Sequence, residues 1–170
     1  FAVWSAGCSS GEEAYTIVMV LAEEQERNPR LQYVVLATDV STAMLERAES
    51  GIYDRSRAEA VPAELRWKYL LRSRDASRGL VRVAPELRAA VRFHRLNFME
   101  EDYGVEAEMD AIFFRNVMIY FDKPTQARVV NRLCRHLRPR GLFFTGHSES
   151  VAGLAVPLDV VAPAVYRRSR

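Results

Sequence analysis

The sequence predicts an α/β fold, a mostly parallel sheet covered by helices, with a small subdomain inserted into it. Three observations carry this. Strand-like apolar runs alternate with helical ones over residues 1–51 and resume over 91–145, the order expected of a parallel sheet. Tyr33 to Ala37 is continuously apolar, as a strand covered on both faces requires. The stretch 52–90 breaks the alternation, which marks an insertion between the two parts of the sheet domain, 1–51 and 91–170.

Phe1-Ala-Val-Trp4 reads as the end of a buried strand that enters a loop of small residues, Ser5 to Ser10. A helix follows from about Gly11, with Ala14, Ile17 or Val18, and Leu21 on one face, and Asn28-Pro29 stops it. The second strand ends at Thr38-Asp39. Ser41 caps a helix over Thr42 to Glu49, and Gly51 supplies its left-handed stop. In the insertion, Pro62 suits the first turn of a short helix through Leu70. Ser73 to Gly79 is a polar loop and Leu80 to Val83 a short strand. Val91, Phe93 and Arg95 alternate along a third sheet strand that ends near Asn97, and Met109 to Phe114 form a fourth. Pro124 to Leu137 is an amphipathic helix with Val129, Leu133 and Leu137 at i, i+4 and i+8. Arg138 to Gly141 ends it, Leu142 to Thr145 is a fifth strand, and Leu158 to Tyr166 makes a closing pair of strands around Pro163.

With 170 residues the chain is one domain, long enough to bury roughly 70% of its unfolded surface. Hydrophobic residues at 49% and charged residues at 27% exclude a disordered or fibrous chain. No apolar run approaches the roughly 20 residues that span a bilayer, so no membrane insertion is expected. Two cysteines, Cys8 and Cys134, exclude a disulfide scaffold and suit a reducing, cytoplasmic setting. The first residue is Phe1 and no signal peptide is visible, so the chain reads as a piece of a longer cytosolic protein. It carries no exposed heptad or apolar stripe, so a monomer is expected.

The net charge of +2 is unevenly spread: residues 1–50 carry −5, 51–100 carry +5 and 101–170 carry +2. Twenty-two of the 24 basic residues are arginine, which holds carboxylates bidentately, so the basic middle segment fits an acidic protein partner or, more plainly, a solvated surface. The arginines lack an accompanying aromatic stacking pattern, and no nucleic-acid partner is expected.

In open parallel sheets, ligands bind beyond the carboxyl ends of the strands. Here those ends carry Gly7 to Glu13, Asp39, Asn97, Arg115-Asn116 and His147-Ser148-Glu149. Five polar strand ends on one rim predict a binding site. Asp39, ending the second strand, is shaped to accept from two ribose hydroxyls, or else to cap a helix. Glu12 and Glu13 contact a ligand or complement the helix dipole. Asn97 and Asn116 each offer a donor and an acceptor to an adenine edge, an amino-acid head group or loop backbone.

Elimination narrows the chemistry. Cys8 has no histidine placed to serve it, which disfavours a nucleophile, and the three histidines lack metal-ligand spacing, so no metal site is expected. Gly146-His-Ser-Glu-Ser150 nearly matches a hydrolase elbow but ends in serine and has no later histidine. The Gly7 loop lacks both the third glycine of a dinucleotide fingerprint and the lysine of a phosphate-binding loop. A cofactor with an adenosine half and no phosphates fits better, and S-adenosylmethionine is that cofactor.

Trp4-Ser-Ala-Gly-Cys-Ser-Ser-Gly-Glu-Glu-Ala-Tyr15, Ala37-Thr-Asp39, Ser50-Gly-Ile-Tyr53, Leu96-Asn97, Arg115-Asn-Val-Met-Ile-Tyr-Phe121 and Gly146-His-Ser-Glu149 closely resemble the CheR family of bacterial chemotaxis receptor glutamate methyltransferases. The resemblance runs in order along the chain. It implies a Rossmann-like S-adenosylmethionine-dependent methyltransferase sheet with an inserted β-subdomain at 52–90. It implies methyl transfer to glutamates on the cytoplasmic helices of methyl-accepting chemoreceptors, leaving S-adenosylhomocysteine. By the same resemblance Gly11, Glu13, Asp39, Asn97, Phe98, Arg115 and Asn116 would bind the cofactor, and Tyr120 would lie near the reacting atoms.

In some members the subdomain docks a receptor C-terminal peptide, but the loop Ser73 to Arg78 lacks the glycines associated with that tethering. The family also carries an N-terminal helical domain that this sequence does not include, so the isolated piece is expected to be weakly active or inactive. A non-catalytic docking module and an N-methyltransferase are the rival readings. The intact Asp39, Asn116 and Tyr120 argue against the first, and the lack of a deprotonating group argues against the second.

Overall fold

A computed structural model describes residues 1–106 and 108–169. Seven strands form the main sheet. Five of them run parallel in the order β6 (Val91–Arg95), β2 (Val34–Asp39), β1 (Ala2–Ala6), β7 (Met109–Phe114) and β8 (Leu137–Thr145). Beyond β8 lie β10 (Val165–Arg168) and then β9 (Leu158–Ala162), both joined by antiparallel pairing. The chain thus winds outward from β1 in both directions, and the strand order reverses between β1 and β7. That topological switch point is where open α/β sheets hold ligands. The Rossmann-like architecture matches the expected fold class.

Helices α1 (Glu12–Arg27), α2 (Thr42–Ser50) and α5 (Lys123–Arg135) follow β1, β2 and β7. Local chemistry sets their ends. Asn28 closes α1 by donating its N–H to Glu24 O. The Ser41 hydroxyl accepts from Met44 N, and Gly51 takes φ 61° after α2. The Asp122 side chain accepts from Thr125 N and starts α5.

Two apolar clusters cover the faces of the sheet. One gathers Trp4, Ile112, Phe114, Leu133 and Phe143, with Trp4 Nε1 donating to Thr38 Oγ1 at 2.9 Å. The other gathers Val3, Val18, Val35 and Ala37, and it also takes in Tyr69, Val83 and Leu87 from the insertion.

The insertion is more regular than its sequence suggests. Strands β3 (Ile52–Asp54), β5 (Leu80–Val83) and β4 (Leu70–Arg72) form an antiparallel sheet in that order. Helix α3 (Ala63–Tyr69) leads into β4, and α4 (Pro85–Ala89) returns the chain to β6 with Leu87 buried in the main core.

Three expectations need correcting. Ser5 belongs to β1 and is fully buried, so the loop starts later. Helix α5 ends at Arg135, and Leu137 is the first residue of β8, opposite Met109. Arg138 to Gly141 therefore open a strand and do not stop a helix. The register shifts here, and Arg140 with φ 66° forms the bulge that absorbs the extra residues beside Pro139. Arg95 is exposed on β6, so the inward alternation stops at Phe93.

Candidate functional site

A crevice of about 730 Å³ opens at the switch point. Its lining includes Glu13, Asp39, Asn97, Phe98, Arg115, Asn116 and Tyr120, so seven of the eight residues expected at the site come together in one place.

The β1–α1 loop supplies the floor. Gly7 N and Cys8 N both donate to Thr38 O, at 2.8 and 2.9 Å, which pins the loop to the end of β2. Gly7 has φ 86°, and a Cβ there would stand 2.4 Å from Val117 Cγ2. Only glycine lets the two loops meet so closely.

Asp39 is tied into the loop as well. Its Oδ2 accepts from Ser9 N and its Oδ1 from Ser41 N, both at 2.9 Å. The capping reading of this residue does not hold, because Ser41 caps α2 and the Asp39 carboxylate bonds instead to the N–H groups of Ser9 and Ser41. The ligand reading is compatible with these bonds, each carboxylate oxygen having a second lone pair free. Among the described residues no cation pairs with Asp39. Glu13 is held from two sides: Ser5 Oγ donates to Oε1 at 2.7 Å, and Arg115 Nη1 donates to Oε2 at 3.0 Å. Asn97 Oδ1 accepts from Met99 N at 3.0 Å, an Asx turn that sets the bend after β6. Phe98 is buried edge-on against Phe114 and Tyr103, so it acts as an apolar wall. Tyr120 ends a 3₁₀ turn, Met118–Tyr120, and is 77% exposed at the mouth.

The insertion braces this site. Tyr53 Oη donates to Ser10 O at 2.6 Å, and Arg57 pairs with Glu12 at 3.0 Å. Burial pushes the Tyr53 phenol well above its usual range, which keeps it a donor.

Two expected rim features lie elsewhere. Gly11 does not line the crevice. With φ 91° it fits against Ala48 and Tyr53, where a Cβ would meet Ala48 Cβ at 2.7 Å. His147, Ser148 and Glu149 also lie off the lining; Glu149 turns its carboxylate onto backbone N–H groups behind the crevice. Val40, Val117 and Phe121 also line the crevice. Apolar and silent in charge, they carry no site signal of their own: Val40 only follows Asp39, and Val117 and Phe121 belong to the Arg115–Phe121 string without an assigned role.

Cys8 lines the crevice, yet burial first, then the Asp39 charge, pushes its thiol up to about 12. At pH 8 only about one molecule in 10⁴ then carries the reactive thiolate. Burial likewise raises Cys134 to about 12. Iodoacetamide at pH 8 is therefore expected to leave both cysteines of the folded protein unmodified and to label both after denaturation. Rapid labelling of native Cys8, read by mass spectrometry, would contradict the buried-thiol picture.

Among the described residues no group of His, Cys, Asp and Glu is arranged to hold a metal ion, and no helix is long and apolar enough to cross a membrane. The crevice lining carries three carboxylates against one guanidinium, which suits a cationic ligand and repels phosphates.

Comparisons with known proteins identify the family and the fold. The family model described as the CheR methyltransferase, SAM binding domain, matches residues 1–165. Chemotaxis protein methyltransferase 2 of Pseudomonas aeruginosa is 42% identical over 165 residues, covering 96% of this chain and 58% of the relative. The chemotaxis protein methyltransferase of Salmonella typhimurium is 41% identical over 170 residues, covering 100% of this chain and 59% of the relative. The chain thus spans less than two thirds of the length of these relatives. Among solved structures, a protein of Nostoc punctiforme assigned as an O-methyltransferase superposes with a TM-score of 0.52 at 14% identity. That superposition covers 85% of this chain and 31% of the other, and it speaks for the fold alone.

Proposed function

The chain belongs to the CheR methyltransferase family, and on that premise we propose that it takes part in transferring a methyl group from S-adenosylmethionine to glutamate side chains of chemoreceptors, forming γ-methyl esters. The observation that carries this reading is the convergence of Glu13, Asp39, Asn97, Arg115, Asn116 and Tyr120 on one crevice at the sheet's switch point.

The residues fit the cofactor. About 730 Å³ lies in the usual range for a cofactor site, and the acidic lining complements a sulfonium and an ammonium. Asp39 would take the ribose hydroxyls with its free lone pairs. Glu13, fixed by Ser5 and Arg115, would face the amino-acid end. Phe98 and Val40 offer the apolar flank that an adenine ring needs.

S-adenosylmethionine supplies, when bound, a methyl group on a sulfonium that an ionised carboxylate can displace. A glutamate side chain, with an ordinary pKa of about 4.3, is already ionised at neutral pH, so the site needs no general base. The task left to the protein is to strip water from the carboxylate and fix its approach. Tyr120, exposed and part of the crevice lining, would meet that carboxylate. The β-subdomain, with Arg55, Arg66 and Arg72 around a small pocket beside Trp67, would present a basic face to an acidic receptor segment.

The test uses the full-length protein with methyl-labelled cofactor and receptor-bearing membranes, followed by a shift to alkaline pH. Glutamyl esters release volatile labelled methanol. Label that stays on the receptor at high pH indicates N-methylation, and no incorporation indicates a docking module; either result would reject the proposal.

A further inference from the structure

We propose that Glu149 is a positioning residue that holds Asn116 in place at the crevice, acting through the backbone and not by touching a ligand. The inference rests on the reading of the crevice as the S-adenosylmethionine site. It concerns a residue that the crevice lining does not include.

Asn116 lies just beyond the carboxyl end of β7 with φ 60°, a left-handed conformation that asparagine adopts more readily than other non-glycine residues. Its N–H donates to Glu149 Oε2 at 2.7 Å, and Gly146 N–H donates to the same oxygen at 2.8 Å. Glu149 is only 8% exposed. Its own N–H donates to Gly146 O at 2.9 Å, so residues 146–149 fold into a tight turn that aims the carboxylate at the end of β7.

The turn has room for this carboxylate only because residue 146 is glycine. A Cβ there would stand 2.7 Å from Glu149 Oε2 and 3.2 Å from both the backbone nitrogen and Nδ2 of Asn116. The Asn116 amide therefore packs over Gly146 while Glu149 grips its backbone. Among the described residues Glu149 pairs with no arginine or lysine, and its Oε1 is buried without a partner. A buried carboxylate in that position depends on its two N–H donors, and such charge-assisted hydrogen bonds are short and strong. A flip of the 115–116 peptide plane, which would carry Asn116 out of the left-handed region while the flanking chain stays in place, would strip one of them away. The clamp thus holds the 115–116 peptide in the orientation in which Asn116 lines the crevice.

The experiment compares wild type, Glu149→Gln, Asn116→Ala and the double variant. Affinity for S-adenosylhomocysteine is read by calorimetry, and the Asn116 and Gly146 amides by proton–nitrogen NMR. In wild type both amide protons are expected far downfield, and Glu149→Gln should move them upfield. The same substitution should weaken binding about tenfold. Asn116→Ala should weaken it too, and the double variant should bind no worse than Asn116→Ala alone, because no side chain remains to be positioned. Glu149→Asp keeps the charge but withdraws it from both N–H groups, so it should reproduce the upfield shift and the loss if the glutamine variant does not fold.

Additive losses in the double variant, or an Asn116 amide that does not move, would overturn the proposal. If the amide moves but Asn116→Ala leaves affinity intact, the assignment of Asn116 to the cofactor fails instead, and the clamp loses its functional meaning with it.

Discussion

Replacing Asp39 with alanine is expected to weaken S-adenosylhomocysteine binding by more than about 100-fold in a calorimetric titration, or about 2.7 kcal/mol. Two losses combine. The carboxylate is the acceptor proposed for the ribose hydroxyls, and hydrogen bonds to charged groups contribute about 1.5–3 kcal/mol each. It also fastens Ser9 N on the cofactor loop and Ser41 N at the head of α2, so its removal loosens the crevice floor. Asp39→Asn weakens both effects without abolishing either. Its single carbonyl oxygen can satisfy one of these N–H groups, while its amide nitrogen cannot accept from a hydroxyl. The asparagine variant should lose about tenfold, between wild type and alanine. Unchanged affinity in Asp39→Ala would reject the ribose assignment outright.

The sheet and the crevice were legible in the sequence for a shared physical reason. Parallel strands buried on both faces read as apolar runs, and the polar residues that end those runs must face a ligand, solvent or backbone. Tyr33 to Ala37 followed by Thr38-Asp39 carries both signals, and β2 with Asp39 is found there.

Where the signal is not local, the sequence falls silent. Strands β3 and β4 have three residues each, too few for alternation to show, and each exists only by pairing with β5. Arg138 to Gly141 look like a helix stop because proline and glycine end helices more often than they open strands. Leu137, fully buried opposite Met109, decides otherwise. Glu149 shows a subtler limit. A carboxylate at a strand end is the same letter whether it faces a ligand or two backbone N–H groups, and only the turn at Gly146 tells them apart.

Gly11 tests that distinction directly, because the family resemblance assigns it to the cofactor and the structure assigns it to packing. Gly11→Ala should lower the melting temperature by about 5–20 °C while leaving the affinity of the folded protein for S-adenosylhomocysteine within about threefold. The added methyl would lie 2.7 Å from Ala48 Cβ, 3.1 Å from Tyr53 Oη and 3.2 Å from Ala48 Cα. Ala48 is fully buried within α2 and has no side chain to swing aside. Tyr53 is committed to Ser10 O. The helix and the loop must therefore separate, an overpacking cost of about 1–3 kcal/mol. Alanine at φ 91° adds about 1–2 kcal/mol for a left-handed backbone. Together these give roughly 2–5 kcal/mol, and a domain of this size loses about 2–4 °C per kcal/mol. The strain falls between Gly11 and α2, and Gly11 is not among the residues that line the crevice, so melting and binding should part company. A variant that melts like wild type but no longer binds would place Gly11 against the cofactor after all.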